Sequence, residues 1–171
     1  YKLDAVLVHT PANMRNISGF TGEGLVYVSK EDAWILTDSR YTIAAAKESR
    51  GFEVLEYKGN MQQYLVEKIV KEHPELAEKT FRIGFEDAVM TVETYRTLEA
   101  LFEKMNLKQW ELVPLHKKLD KMRRIKTPEE IERLIRGFSP WPGAFCEESG
   151  KVISYAATMA HASESGLSRL F

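Results

Sequence analysis

Apolar residues fall in short runs bounded by turn-forming residues, and the spacing within each run predicts its element. Residues 3–9 are almost wholly apolar and read as a buried strand ended at Thr10-Pro11, where proline removes a donor and restricts its predecessor. Residues 16–24 are rich in Ser, Thr and Gly and read as a loop. The runs Leu25-Val26-Tyr27-Val28 and Ala33-Trp34-Ile35-Leu36-Thr37 flank the polar Ser29-Lys30-Glu31-Asp32, the pattern of a β-hairpin. Residues 41–50 are Ala-rich and predict a helix, with Gly51 placed to take a left-handed conformation after it. Residues 52–57 return to a strand. Met61, Tyr64, Leu65 and Ile69 then share one helical face that closes at His73-Pro74.

A short strand is expected over residues 81–85. Val92, Tyr95, Leu98, Leu101, Phe102 and Met105 recur at three and four residues, the clearest amphipathic helix in the chain, with Thr91 placed to cap it. Residues 111–114 read as a last strand. Strands alternating with helices, with one hairpin near the start, predict an α/β fold in which a mixed β-sheet is flanked by helices.

The C-terminal third breaks this pattern. Between residues 115 and 136 eight Lys or Arg stand against four Asp or Glu, and Thr127-Pro128-Glu129-Glu130 carries the full signature of a helix start. That helix places Ile131, Leu134 and Ile135 on one face and is expected to stop at Gly137. Two prolines and a glycine within residues 138–143 forbid its continuation. The expected organisation is a domain over residues 1–124, a linker helix over 125–136, and an atypical tail over 137–171, either disordered or the product of a frameshift or fusion, with poor order expected at its Ala-, Ser- and Gly-rich last fifteen residues.

Composition narrows the possible partners. The 171 residues are 44% apolar and 29% charged, enough for a packed core, and 24 Lys plus Arg nearly balance 25 Asp plus Glu. A net charge of −1 supplies no field for nucleic acid or an anionic membrane, and the longest aliphatic stretch, residues 5–8, is far too short to span a bilayer. The single Cys146 forms no intrachain disulfide, so a reducing, cytoplasmic location is expected. The chain begins at Tyr1 rather than Met and reads as trimmed there.

Candidate chemistry is sparse. His9, His73, His116 and His161 are scattered without metal-ligand spacing, and of these His9, at a strand end, is the one expected near a cleft. Asp4, Asp38, Glu86 and Asp87 stand at strand ends, where they are either turn residues or the carboxylates of a metal-dependent nuclease. The glycine-flanked stretch Gly19-Phe20-Thr21-Gly22-Glu23-Gly24 leads into a strand rather than a helix, so it is no phosphate loop. Phe20 there either packs in a tight turn or projects its ring into a partner. Asp38 or Ser39 is placed to cap the following helix, with Arg40 beside a carboxylate. The lysines and arginines at 117, 118, 121, 123, 124 and 126 read as a solvated or domain-docking face.

Taken in order, residues 3–8 (LDAVLV), 13–22 (NMRNISGFTG), 37–41 (TDSRY), 83–86 (IGFE), 112–115 (LVPL) and 123–131 (RRIKTPEEI) resemble the N-terminal domain of the creatinase, prolidase and Xaa-Pro aminopeptidase family. The resemblance implies a ribonuclease-H-like α/β architecture and a cytoplasmic, proline-specific metallopeptidase as the parent enzyme. It further implies that two divalent metals, manganese or cobalt, are held by a separate C-terminal catalytic domain. The tail after Arg136 offers only Glu147, Glu148, His161 and Glu164, so no metal or other cofactor is expected in this chain, and the chain reads as truncated.

By the same resemblance Arg15, Asn16, Phe20, Thr21 and Glu23 lie near a substrate-channel mouth or subunit interface, with Asp38, Arg40 and Tyr41 supporting that loop. The expected partners are a second copy in a homodimer or the missing catalytic domain, without nucleic acid or membrane. The alternative is a free-standing protein-interaction module without enzymatic activity; the ribonuclease-H-like fold also suggests, by analogy, a carboxylate-dependent nuclease. Residues 136–143, and with them residues on to 151, resemble the Ser-Pro-Trp-Pro-Gly stretch of methionyl-tRNA formyltransferases.

Overall fold

The computed structural model describes residues 2–124, 126–138, 144–148 and 151–155. It divides into two compact units, Tyr1–Arg124 and Ile125–Phe171.

The first unit is built on six strands: β1 (Ala5–Val8), β2 (Leu25–Ser29), β3 (Ala33–Thr37), β4 (Glu53–Glu56), β5 (Phe81–Phe85) and β6 (Trp110–Pro114). Their order across the sheet is β4-β3-β2-β1-β5-β6. The pairs β1–β2 and β2–β3 are antiparallel, whereas β3–β4, β1–β5 and β5–β6 are parallel. The mixed sheet expected from the single early hairpin is therefore what forms. That hairpin closes through Ser29, whose hydroxyl accepts the Glu31 and Asp32 N–H groups and whose own N–H donates to the Asp32 carbonyl at 2.8 Å.

Among the described residues five α-helices accompany the sheet, α1 (Pro11–Ser18), α2 (Thr42–Glu48), α3 (Met61–Glu72), α4 (Val92–Lys104) and α5 (Lys118–Met122), with a 3-10 helix over Pro74–Glu78. Side chains alternate across each strand, so Leu7, Tyr27, Trp34 and Ile83 join Leu65, Ile69, Leu98 and Phe102 of α3 and α4 in one buried cluster. Val8, Val26 and Ile35 face the other way, onto Met14 of α1 and Ala45 of α2. Burial on both faces explains why the strands read as nearly continuous apolar runs. Thr91 caps α4 as expected, its hydroxyl accepting the Thr94 N–H, and Gly51 takes the left-handed φ of +86° that follows α2.

The structure differs from the sequence reading at α1 and decides between its alternatives in the loop that follows. Thr10-Pro11 does end β1, but Pro11 also occupies the first turn of a helix, where its missing donor costs nothing. Residues 16–18 therefore belong to that helix, not to a loop. Phe20 is wholly buried, meeting the Tyr41 ring edge-on with centroids 6.5 Å apart, so it does not project into a partner. The loop closes over it because Gly22 has no side chain: a Cβ there would lie 2.7 Å from both Phe20 and Tyr41.

In the second unit, α6 (Pro128–Phe138) begins with the expected reciprocal cap, the Glu130 carboxylate accepting the Thr127 N–H at 2.9 Å and the Thr127 hydroxyl accepting the Glu130 N–H. It runs through Gly137 rather than stopping there. One helical glycine costs only about 1 kcal/mol relative to alanine, and the Glu132–Arg136 ion pair spans the preceding turn.

Within the atypical tail, β7 (Ala144–Glu148) and β8 (Lys151–Tyr155) form an antiparallel hairpin that the thin sequence pattern did not predict. Its register sets Glu148 opposite Lys151 and Cys146 opposite Ile153, and only the sequence Ser149-Gly150 separates the strands. The Ser- and Ala-rich end after residue 155 lies outside the described residues.

Gly24 is the backbone position that least tolerates a side chain. A Cβ there would lie 2.3 Å from the Leu36 carbonyl oxygen. Gly24→Ala is expected to destabilise the protein by about 2 kcal/mol or more, the cost of overpacking against backbone that cannot swing away. Urea denaturation checks this, and a loss under about 0.5 kcal/mol, the scatter of neutral surface changes, would refute it.

Candidate functional site

β1, β3, β4, β5 and β6 run in one direction and β2 opposes them, so the segments after β1, β3 and β5 and the segment entering β2 gather at one edge of the sheet. Two polar clusters form there.

The first contains most of the residues singled out in the sequence. The Thr21 N–H donates to the Glu48 carboxylate at 2.8 Å, and the Thr21 hydroxyl lies 2.9 Å from the same oxygen. Arg40 grips Asp38 with two N–H groups, at 3.0 and 2.7 Å, reaches Glu23 at 3.2 Å, and sets its guanidinium 5.1 Å from the Tyr41 ring centroid. The hydrogen bonds from Arg40 hold the Asp38 carboxyl below its usual range, and Asp38 in turn raises Arg40. Both groups face solvent, so the pair fixes the loop's shape and adds little stability. Arg15 and Asn16 lie exposed on α1, and no hydrogen bond among the described residues ties them to this cluster.

The second cluster is partly buried and was not anticipated. Glu86, 8% exposed, follows β5 and accepts the N–H groups of His9 at 2.6 Å and Thr10 at 2.8 Å, while its other oxygen accepts the Asn13 amide at 2.5 Å. Thr10 makes no side-chain cap of its own, so Glu86 does that work for α1, where a negative group also suits the helix dipole. The same Asn13 nitrogen reaches Asp120 at 3.1 Å, and the Asn13 oxygen accepts Arg123 Nε at 2.5 Å. Arg123 closes the ring onto Asp120 at 2.8 Å. Arg123, and then Asn13, hold the Asp120 carboxyl below its ordinary range.

A cleft of about 120 Å³ opens beside this network, lined by Thr10, Asn13, Glu86, Val89, Lys117 and Asp120 among others. His9 precedes the lining residue Thr10 but does not itself line the cleft. Burial pushes its imidazole below the ordinary range against the opposing pull of Glu86, and its Nδ1 is buried without a hydrogen bond.

The four strand-end carboxylates do not converge. Asp4 accepts the Arg82 N–H at 2.8 Å, Asp38 holds Arg40, Glu86 caps α1, and Asp87 accepts the His116 N–H at 2.8 Å with the ring Nδ1 3.1 Å away. Among the described residues no three of His, Cys, Asp and Glu stand close enough to hold a metal ion. These residues therefore do not fit the two divalent metals that the family resemblance implies, nor the nuclease reading. Among the same residues, no helix is long and apolar enough to cross a membrane.

Comparison with known proteins separates the two units. Residues 1–125 match the family model of the creatinase/prolidase N-terminal domain, and residues 124–167 match that of the formyl transferase C-terminal domain. Over 136 residues the chain is 34% identical to the uncharacterized peptidase YqhT of Bacillus subtilis (strain 168), covering 77% of this chain and 35% of that protein. The Xaa-Pro dipeptidase from Bacillus anthracis superposes with a TM-score of 0.65 at 28% identity, covering 78% of this chain and 35% of that one. The chain thus spans about a third of the length of these peptidase relatives. The methionyl-tRNA formyltransferase of Lachnospira eligens is 51% identical over 39 residues, which is 23% of this chain and 12% of that protein.

Two outcomes follow from the buried cluster. Glu86→Ala strands two backbone donors and an amide, so a loss of about 3 kcal/mol or more is expected in urea denaturation at neutral pH; a loss below about 1 kcal/mol, less than one stranded buried donor, would refute the capping role. His9 titrates lower folded than unfolded, so the unfolded chain takes up its proton first as pH falls through about 6.5. Stability is therefore lost on acidification from pH 7.5 to 5.5, and this slope should be shallower in His9→Gln. Equal slopes in parallel thermal melts would show that His9 contributes nothing.

Proposed function

Residues 1–125 belong to the creatinase/prolidase N-terminal domain family, and on that premise we propose that they serve as the non-catalytic N-terminal domain of a proline-specific metallopeptidase, an Xaa-Pro aminopeptidase or dipeptidase. The family match over essentially the whole first unit carries this reading. The Xaa-Pro dipeptidase likeness supports the substrate class. In this reading the chemistry and its two metals belong to a catalytic domain distinct from residues 1–125, and the domain seen here shapes access to it and forms contacts between copies in a homodimer.

The exposed cluster suits that task. Arg40, gripped by Asp38 and leaning on Tyr41, presents a fixed cation at the open edge, with Thr21 and Glu23 beside it and Phe20 propping the loop from below. Arg15 and Asn16 on the adjoining helix extend the polar surface. A peptide's free carboxylate or a partner's acidic side chain is the group that such a surface would receive.

Two measurements test the proposal. Incubating the chain with Xaa-Pro peptides and manganese is expected to give hydrolysis no faster than buffer; robust metal-dependent cleavage would overturn its non-catalytic standing. Light scattering on a size-exclusion column is expected to give a dimer mass, whereas a strict monomer would remove the subunit-contact role and favour a free-standing interaction module.

A further inference from the structure

The cleft beside Glu86 lies where the topology of an α/β sheet places ligands. From β1 the chain turns to β2 on one side and later returns as β5 on the other, so β1–β5 is the point at which strand order reverses. β1, β5 and β6 are parallel, and the cleft is lined by the segments that follow their carboxyl ends.

Its lining carries both charges: the carboxylates Glu86, Asp87 and Asp120, and the ammonium groups Lys117 and Lys118, together with apolar Val89, Leu115 and Leu119. Asp120 uses Oδ1 for both Asn13 and Arg123, which leaves Oδ2 to meet an incoming cation.

Lys117 is held in place at a cost. It and His116 both adopt left-handed backbone, φ of 59° and 48°, in a turn closed by the Lys118 N–H on the Leu115 carbonyl. Two such residues in succession cost about 1–2 kcal/mol each. The two hydrogen bonds from His116 to Asp87 are what hold the turn. Glycine or asparagine would sit there unstrained, so the strain points to a use for the side chain that the turn presents.

We propose that this cleft binds a free α-amino acid with a small apolar side chain, its ammonium on Asp120, its carboxylate on Lys117 and its side chain against Val89 and Leu119. A lone anion would meet the carboxylates of the lining, and a lone cation would meet its lysines; a zwitterion satisfies both signs of charge. The volume agrees: about 120 Å³ is somewhat less than the roughly 150 Å³ cavity that takes benzene, room for valine or proline. The inference stands apart from the peptidase reading, because it rests on the cleft alone.

The test is amide-resolved NMR of the full chain during titration with L-valine and L-proline, with acetate and methylammonium as single-charge probes. Saturable shifts are expected at the amides of Val89 and Lys117 and not along β4. Each single-charge probe should bind at least about tenfold more weakly, the loss of one charge-assisted hydrogen bond. Lys117→Gly relieves the left-handed strain and keeps the fold, yet should weaken amino-acid binding by about tenfold or more. Absence of saturable shifts, acetate or methylammonium binding as well as the amino acids, or unchanged binding in Lys117→Gly would each overturn the proposal.

Discussion

The first unit depends on one carboxylate arriving where the chain turns from strand to helix. β1 ends and α1 begins within two residues, so the backbone donors of His9 and Thr10 face the sheet edge with no partner of their own. Proline at position 11 relieves one missing bond but supplies none. Glu86, delivered by the parallel neighbour β5, accepts both donors and the Asn13 amide. The register that sets Leu7 beside Phe85 is therefore also the register that caps α1. Sheet pairing and helix capping are one constraint seen from two sides.

That constraint explains which features were legible in the sequence. The short apolar runs of β1 to β3, the Thr91 cap of α4 and the Thr127–Glu130 box of α6 are each carried by residues within a few positions of one another, and all form as read. α1 was not visible, because its cap comes from a residue 76 or 77 positions away and its own Thr10 does not cap it. Thr10-Pro11 looks the same whether it ends a strand or opens a helix, and here it does both. The buried cluster was hidden for the same reason: Asn13, Glu86, Asp120 and Arg123 belong to three distant segments, and only the topology unites them. By contrast the exposed cluster was mostly visible, since Asp38, Arg40 and Tyr41 are neighbours in sequence.

The glycine-flanked loop shows how a local signal can leave two purposes open, a packed tight turn or a ring offered to a partner, between which only packing decides. Its glycines do permit an unusual backbone, but the need they meet is close packing. Gly22 lets the loop lie on the Phe20 and Tyr41 rings, and Gly24 passes against the Leu36 carbonyl. An aromatic residue between glycines therefore marks a buried plug here, not a probe extended to a partner. In the second unit the opposite occurred. Residues thin in helical periodicity still form a hairpin, because Phe145, Val152, Ile153 and Tyr155 suit strands and only two residues separate the runs.

The two clusters at the sheet edge differ chiefly in solvent, and that difference assigns their work. Arg40 and Glu23 are 65% and 72% exposed, so their attraction is screened and their removal costs the fold little. Such residues are free to meet whatever approaches the edge. Asn13 is 1% exposed, and every polar atom of its amide is engaged, with two carboxylates on the nitrogen and a guanidinium on the oxygen. Only an amide in one orientation satisfies that environment, because aspartate would bring a third carboxylate against Glu86 and Asp120. The inner cluster is thus fixed by the fold, and the strained Lys117 turn above it is fixed in its turn through Asp87, the residue next to Glu86. One dipeptide, Glu86-Asp87, positions both the helix below the cleft and the lysine at its mouth. The shape of the cleft is therefore set by the same register that holds the sheet.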